Sequence, residues 1–315
     1  MALTITQPQF TRTLTDSLES RVGNTPLLPL QRVTLGLPPT VKIFAKAEWF
    51  NPGGSIKDRA ALNIIYTALS NGDLSSGKRL LDSTSGNTGI AYATFGAAMG
   101  IPVTLTLPAN ASRERISILR ALGAELILTD SLEGSDGAMH VAREMAKNSP
   151  EKFFYANQYA NPANWMAHYK STGPEIYSQT NGQITHFIAG LGTSGTLMGA
   201  GRYLREQNYK IQKIAVQPQG PFHGLEGLKH MESAQKPDIY EISLPDQIIG
   251  VETEAAHDMV RRLAREEGLF VGISSGAAAV ASLAVAKSID EGIIVTVFPD
   301  AGYKYLSDKA LWSDE

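Results

Sequence analysis

The chain has 315 residues, 43% apolar and 19% charged, with a formal net charge of −3, a length and composition that suit one large α/β unit or two domains with a full core. The near-neutral charge balance gives no pull toward nucleic acid or an anionic membrane, and no run of about 18 apolar residues is present to span one. The absence of cysteine excludes thiol catalysis, disulfides and thiolate metal sites.

Residues 1–20 are polar and Thr-rich and read as a flexible arm. They lack the charged-then-apolar order of a secretory signal, and the lack of cysteine fits a cytoplasmic address. From residue 41, short apolar or β-branched runs alternate with longer helical stretches. The runs Val41–Ala47, Arg79–Ser83, Pro102–Leu107, Ala124–Thr129, Ile184–Ala189, Lys213–Gln217 and Ile293–Phe298 predict strands. Most are near-continuously apolar, as in a parallel sheet buried on both faces. Helices are predicted over 55–70, 88–99, 112–122, 135–147, 162–178, 195–206, 253–267 and 275–288. This alternation is the pattern of α/β architecture with right-handed crossovers. The Asn- and Pro-rich stretch YANQYANPAN marks a boundary near 155–162, and residues 218–250 read as one long connection.

Three strand-to-helix loops carry the chemistry. In NPGGSIKDR, Pro52, Gly53 and Gly54 make a tight turn and Ser55 is the expected N-cap. Lys57 then falls in the first helical turn. There the helix dipole and partial burial both lower its pKa, which suits imine formation and general-base work. A solvated lysine paired with Asp58 is the alternative, and spacing alone does not displace it. In DSTSGNTGI, Thr84, Ser85, Gly86, Asn87 and Thr88 bring hydroxyls, an amide and free N–H groups to a helix N-terminus. That suits an anion, above all a carboxylate, whereas an ordinary capped turn needs only one Ser or Thr. In AGLGTSGTLMGAG, Gly192, Thr193, Ser194, Gly195 and Thr196 form a third such loop. Gly190, Gly192 and Gly195 match G-x-G-x-x-G, but Glu206 lies inside the helix rather than after a second strand. A lone phosphate monoester therefore fits better than a dinucleotide. An imine lysine, a carboxylate loop and a phosphate loop are together what pyridoxal-phosphate (PLP) chemistry on amino acids requires.

In chain order the sequence carries GNTPL, NPGGSIKDR, TSGNTG, GTSGT, EEGLFVGISSGA and DAGYKYLS. On these motifs it resembles the fold-type II PLP enzymes and, within them, the cysteine synthases (O-acetylserine sulfhydrylases). Asp300 in DAGYKYLS looks more like the B-type. The resemblance implies two open, twisted, mostly parallel sheets flanked by helices, with PLP in the cleft between two domains. One domain is residues 49–161, carrying the carboxylate loop. The other is 21–48 plus 162–315, carrying the phosphate loop.

The same resemblance implies Lys57 as Schiff-base lysine and Asn87 as partner of the cofactor's ring hydroxyl. Thr84, Ser85, Gly86, Asn87 and Thr88, joined by Gln158, are implied around the substrate carboxylate. Gly192, Thr193, Ser194, Gly195 and Thr196 are implied at the phosphate, and Ser274 at the pyridine nitrogen. A neutral hydroxyl at that nitrogen makes a weaker electron sink, which favours prompt β-elimination. The implied reaction converts O-acetylserine or O-phosphoserine, through an aminoacrylate, to L-cysteine with sulfide or another sulfur donor. A homodimer is implied, with the serine acetyltransferase C-terminus or a sulfur-carrier protein as further partners. Lys229 or His223, in the loop Gly220–Met231, stands where a substrate phosphate would arrive; the alternative is that both are solvated. A serine or threonine dehydratase-type eliminase and a non-catalytic PLP- or peptide-binding homologue are the competing readings. The intact Lys57 and complete TSGNTG speak against the second.

Other features point to structure. The six histidines lack metal-ligand spacing, and His168 and His186 are expected to pack or cap. Arg261, Arg262, Arg265, Glu266 and Glu267 form a charged helix face, read as solubility with weak i,i+4 pairs. Trp49 and Trp165 are expected in the core or at a domain contact.

Overall fold

The computed structural model describes residues 17–75, 77–84 and 86–312. Strands β1 (Leu27–Pro29) and β2 (Val41–Ala47) precede α1 (Lys57–Asn71). Next come β3 (Arg79–Ser83), α2 (Asn87–Met99), β4 (Val103–Pro108), α3 (Arg113–Ala121), β5 (Glu125–Thr129), α4 (Gly134–Asn148) and β6 (Phe153–Tyr155). Helices α5 (Pro162–Lys170) and α6 (Thr172–Gln179) lead into β7 (His186–Gly190), α7 (Gly195–Gln207), β8 (Gln212–Pro218) and β9 (Gln247–Val251). The chain continues through α8 (Thr253–Arg262), α9 (Ile273–Ala286), β10 (Gly292–Phe298) and α10 (Lys309–Trp312).

These strands form two sheets, as the resemblance implied. One has the order β5-β4-β3-β6 and is parallel throughout; the other runs β1-β2-β10-β7-β8-β9 and is parallel except at its β1 edge. The continuous apolar runs follow from helices covering both faces. Along β10, Ile294 and Phe298 pack on one side with Val260 and Ala277, while Val295 and Val297 pack on the other with Phe187 and Leu197. A period of two thus serves two cores at once. The smaller sheet has its own core, including Leu80, Phe95, Leu105 and Leu119.

Sequence and structure differ in definite places. Residues 218–250 are not one connection, because β9 begins within them and adds an edge strand parallel to β8. β1 and β6 are three-residue strands, too short for alternation to register. The helix expected over 162–178 breaks at Ser171. Pro174 has no N–H to give the Lys170 carbonyl, so one uninterrupted helix would lose that bond. The helix expected over 253–267 stops being α after Arg262 and closes as a π-helical turn over Leu263–Glu267, ended by the left-handed Gly268. Glu267 does more than solubilise: one carboxylate oxygen accepts the backbone N–H groups of Gln31, Arg32 and Val33 at 2.7–2.9 Å. Most of the N-terminal arm, residues 1–16, lies outside the described residues.

Both parallel sheets deliver their loops at the carboxyl ends of their strands, where open α/β sheets bind ligands. Strand β3 ends into Thr84–Thr88, β7 into Gly192–Thr196, and β10 into Pro299–Tyr305.

Candidate active site

Lys57 opens α1, with its backbone N–H at 3.2 Å from Ser55 Oγ; the helix begins two residues after the expected cap. The turn is stapled to the end of β10, since Ile56 N donates to Pro299 O at 2.9 Å and Ser55 bridges Asp300. Asp58 turns back to accept the Gly53 amide, and burial pushes its carboxyl up to about 7. Lys57 is half-buried. Burial lowers its pKa from the ordinary lysine value; Asp300 and Glu48 pull it upward, and Lys304 lowers it further.

A buried ion network lies behind this turn. Arg59 Nε donates to Glu48 at 2.7 Å and Nη1 to Glu175 at 2.7 Å, while Lys46 reaches Glu175 at 2.7 Å. Arg59 Nη1 also donates to Ser171 Oγ at 3.0 Å, so the break between α5 and α6 is anchored here. Burial opposes ionisation of Glu175, but the bonds and charges of Arg59 and Lys46 outweigh it and hold its pKa at about 2. Two cations facing two carboxylates keep the network neutral, as a buried cluster requires.

The carboxylate loop begins where Asp82, buried at the end of β3, accepts Ser83 N at 2.8 Å and Gln158 N at 3.3 Å. Asn157 takes the left-handed conformation (φ 45°), which asparagine tolerates, and the chain reverses there. Gln158 Oε1 accepts from Thr88 Oγ1 at 2.7 Å, and its Nε2 donates to Ser83 O at 3.2 Å. The structure thus brings Gln158 to the loop that the resemblance assigned it. Ser85 lies outside the described residues.

The phosphate loop is tighter. Ser194 is left-handed at φ 72°, a strained state for a residue with a Cβ. Its buried hydroxyl has no partner among the described residues. A Cβ on Gly192 would stand 2.3 Å from the backbone Gly227 O, and one on Gly195 2.0 Å from the side-chain Asn164 Oδ1, so glycine is what lets the neighbouring loop and the Asn164 amide approach this closely. The N-terminus of the 13-residue α7 opens at this point. An unpartnered hydroxyl, a helix N-terminus and open space beside them fit a phosphate monoester.

All the described site residues named from the sequence line one cleft of about 360 Å³: Lys57, Thr84, Gly86, Asn87, Thr88, Gln158, Gly192–Thr196 and Ser274. Lys229 lines it too, with its ammonium 4.9 Å from the Tyr159 ring centre; His223 is exposed and is not among the lining residues. Two further residues have roles here that the sequence did not suggest. Arg115 of α3 lines the cleft, pairs with Glu226 and lies 5.3 Å from the Tyr305 ring centre. His168, expected merely to pack or cap, is buried with Nδ1 at 2.9 Å from Thr172 Oγ1 and Nε2 at 3.5 Å from Thr196 Oγ1, directly behind the phosphate loop. Only the i,i+4 spacing of His168 and Thr172 hinted at this. Trp49 and Trp165 pack against the cores as expected.

A family model described as pyridoxal-phosphate dependent enzyme matches residues 18–300. The chain belongs to that family. It is 54% identical over 299 residues to the cysteine synthase of Aquifex aeolicus, covering 93% of this chain and 91% of that protein. Pseudomonas aeruginosa cysteine synthase B is 42% identical over 286 residues, covering 91% and 94%. Among solved structures, the cysteine synthase (OASS) of Entamoeba histolytica superposes with a TM-score of 0.92 at 36% identity, covering 100% of this chain and 95% of that one. Membership of the family makes PLP the cofactor, and the unpartnered Ser194 hydroxyl at the α7 N-terminus suits its phosphate. Among the described residues no cluster of His, Asp or Glu is arranged for a metal, and no helix is long and apolar enough to cross a membrane.

Proposed function

We propose that the protein is a cysteine synthase, replacing the β-substituent of O-acetylserine or O-phosphoserine with sulfide or another sulfur donor. The observation that carries this reading is the position of Lys57: a half-buried lysine with a lowered pKa lines one cleft with a carboxylate loop and a phosphate loop. Gly192, Thr193, Ser194, Gly195 and Thr196 hold the cofactor phosphate, Asn87 its ring hydroxyl, and Ser274 faces its ring nitrogen. Bound PLP supplies the electron sink for chemistry at the substrate's Cα. Thr84, Ser85, Gly86, Asn87 and Thr88, with Gln158, hold the substrate carboxylate and orient the Cα proton toward Lys57. Lys57, with its pKa lowered, takes that proton as general base as the Cβ–O bond breaks and acetate or phosphate leaves, and returns one at the same carbon once sulfur has joined Cβ.

Residues 49–161 act as the domain that moves, carrying the carboxylate loop onto the substrate and excluding water from the cleft. Residues 21–48 and 162–315 carry the phosphate loop and Ser274, while Lys57 and Asn87 reach the cofactor from 49–161. Lys229 meets a phosphate on the substrate's Cβ oxygen, which extends the donor range to O-phosphoserine. The protein works in the cytoplasm as a homodimer, and its carboxylate site also suits the C-terminal carboxylate of a serine acetyltransferase or a sulfur-carrier protein.

The test is the visible absorption of the purified protein, followed on adding O-acetylserine or O-phosphoserine and then sulfide. A yellow protein whose band shifts with a donor and returns with sulfide, releasing cysteine, supports the reading and ranks the donors. A band that shifts and decays to pyruvate with no cysteine formed would replace it with an eliminase.

A further inference from the structure

The orientation of the Asn87 amide is set by charge. Its Oδ1 accepts from Lys304 Nζ at 2.6 Å, and its Nδ2 donates to Asp300 Oδ2 at 2.7 Å. An ammonium only donates and an ionised carboxylate only accepts, so a reversed amide would set donor against donor and acceptor against acceptor. One N–H of Asn87 is taken by Asp300. The other remains for the cleft, which Asn87 lines.

Lys304 has further bonds. Its ammonium also reaches Gly54 O at 3.2 Å and Gly53 O at 3.4 Å, the carbonyls of the turn that carries Lys57. Three protons meet three acceptors, and two of those acceptors belong to the lysine turn. Asp300 is fixed as firmly. It is fully buried, its Oδ2 also accepts the Tyr305 hydroxyl at 2.9 Å, its backbone N–H and C=O region bridges Ser55, and its carbonyl accepts Gly272 N at 3.1 Å.

We propose that Lys304 and Asp300 are positioning residues that lock the Asn87 amide with its free N–H presented to the cofactor's ring hydroxyl, tying that contact to the Lys57 turn. The proposal rests on the reading of the cleft as a PLP site. It gives DAGYKYLS a task beyond marking a subtype. Neither side chain need touch the cofactor; both act through Asn87. Charge-assisted bonds of this kind hold geometry better than neutral ones. A neutral side chain at position 304 would leave the amide held by Asp300 at its Nδ2 end alone and cut its tie to the Lys57 turn, so that its free N–H could swing away from the ring hydroxyl.

The test measures binding of two ligands to cofactor-stripped protein by absorbance titration: PLP, and a PLP analogue lacking the 3-hydroxyl. Wild type should bind PLP more tightly than the analogue. Lys304→Met should erase most of that preference, lowering PLP affinity about tenfold relative to the analogue, the worth of one good hydrogen bond. Lys304→Arg, which keeps the cation, should retain it. If Lys304→Met does not fold, Lys304→Gln serves, since a shorter, neutral glutamine cannot join Asn87 Oδ1 to the Gly53 and Gly54 carbonyls as the ammonium does and should lose most of the preference too. An equal loss of both ligands in the Met or Gln variant would make Lys304 merely structural and overturn the proposal. A wild type that binds both ligands equally would also overturn it while leaving the PLP reading intact. Wild type that binds neither ligand would sink the PLP reading and the proposal with it.

Discussion

The loops after β3 and β7 both open a helix with small polar residues, yet their surroundings differ. Around Gly192 and Gly195 an added methyl would collide with Gly227 O and Asn164 Oδ1, whereas beside Gly86 nothing lies within 4 Å of that position. The phosphate loop is pressed on by a second loop and by α5. The carboxylate loop is tied at its helix end, Asn87 to Lys304 and Asp300 and Thr88 to Gln158, while Gly86 before them stands clear. A ligand that stays bound through many turnovers suits a cradle with no freedom; a ligand that is replaced each turnover suits a loop with space to close and reopen.

The largest effect expected serves as the control for both loops. Lys57→Ala should lower kcat by about 10⁴-fold while leaving the fold intact, measured as cysteine formed and as an unchanged circular dichroism spectrum. Retained activity would remove Lys57 from the chemistry. Next, Gly195→Ala should cost about 1–3 kcal/mol of stability through overpacking and weaken PLP binding strongly, because the displaced backbone belongs to the proposed phosphate site. Calorimetry and PLP titration read the two effects, and a neutral outcome would mean the cradle is looser than its contacts. Gly86→Ala should be milder. Gly86 already has extended backbone, so stability and PLP affinity should stay within error while the KM for the amino-acid substrate rises a few-fold. A loss of PLP affinity equal to that of Gly195→Ala would erase the distinction between the loops.

The smallest effects are on pH dependence, and their signs are opposite at two places. Beneath the carboxylate loop, burial raises Asp82 from 3.8 to about 7. The folded state therefore keeps a proton that the unfolded chain releases. The stability tied to that proton is complete below pH 3.8 and lost as pH rises through about 7. Behind the lysine turn, Glu175 falls from 4.5 to about 2. Its contribution is present above pH 4.5 and lost as pH falls through about 2. Thermal melts across pH should show the upper limb flattened by Asp82→Asn and the acid limb flattened by Glu175→Gln. Asp58, also raised to about 7, keeps part of the upper limb in the first variant.

What the sequence revealed followed physical rules that act locally. Seven strands and the helices between them were readable, most of them because burial on both faces leaves an unbroken apolar run, as in β4 and β10. The loops were readable because a helix N-terminus needs few polar residues and these had many. What escaped was set by distant partners. β1 and β6 are too short to carry a pattern, and β9 exists because β8 offers an edge. Arg115, His168 and Lys304 looked like ordinary residues of their types; only folding brings Arg115 to Glu226, His168 to Thr196, and Lys304 to Asn87. The gain of Lys229 over His223 at the cleft likewise depends on how one loop folds back, which residue type alone does not encode.

The position of β10 has a consequence for the order in which the protein can be made. This strand lies between β2 and β7, pairing Val41 with Gly292 and Ile294 with His186. On a ribosome adding roughly 5–20 residues each second, β2 waits on the order of ten seconds or more for its central neighbour. The smaller sheet, complete once Tyr155 has emerged, meets no such delay. The growing chain therefore holds one finished sheet and one with a gap at its middle. Because the lysine turn is stapled to Pro299, the catalytic cleft is among the last parts of the molecule to be assembled during synthesis.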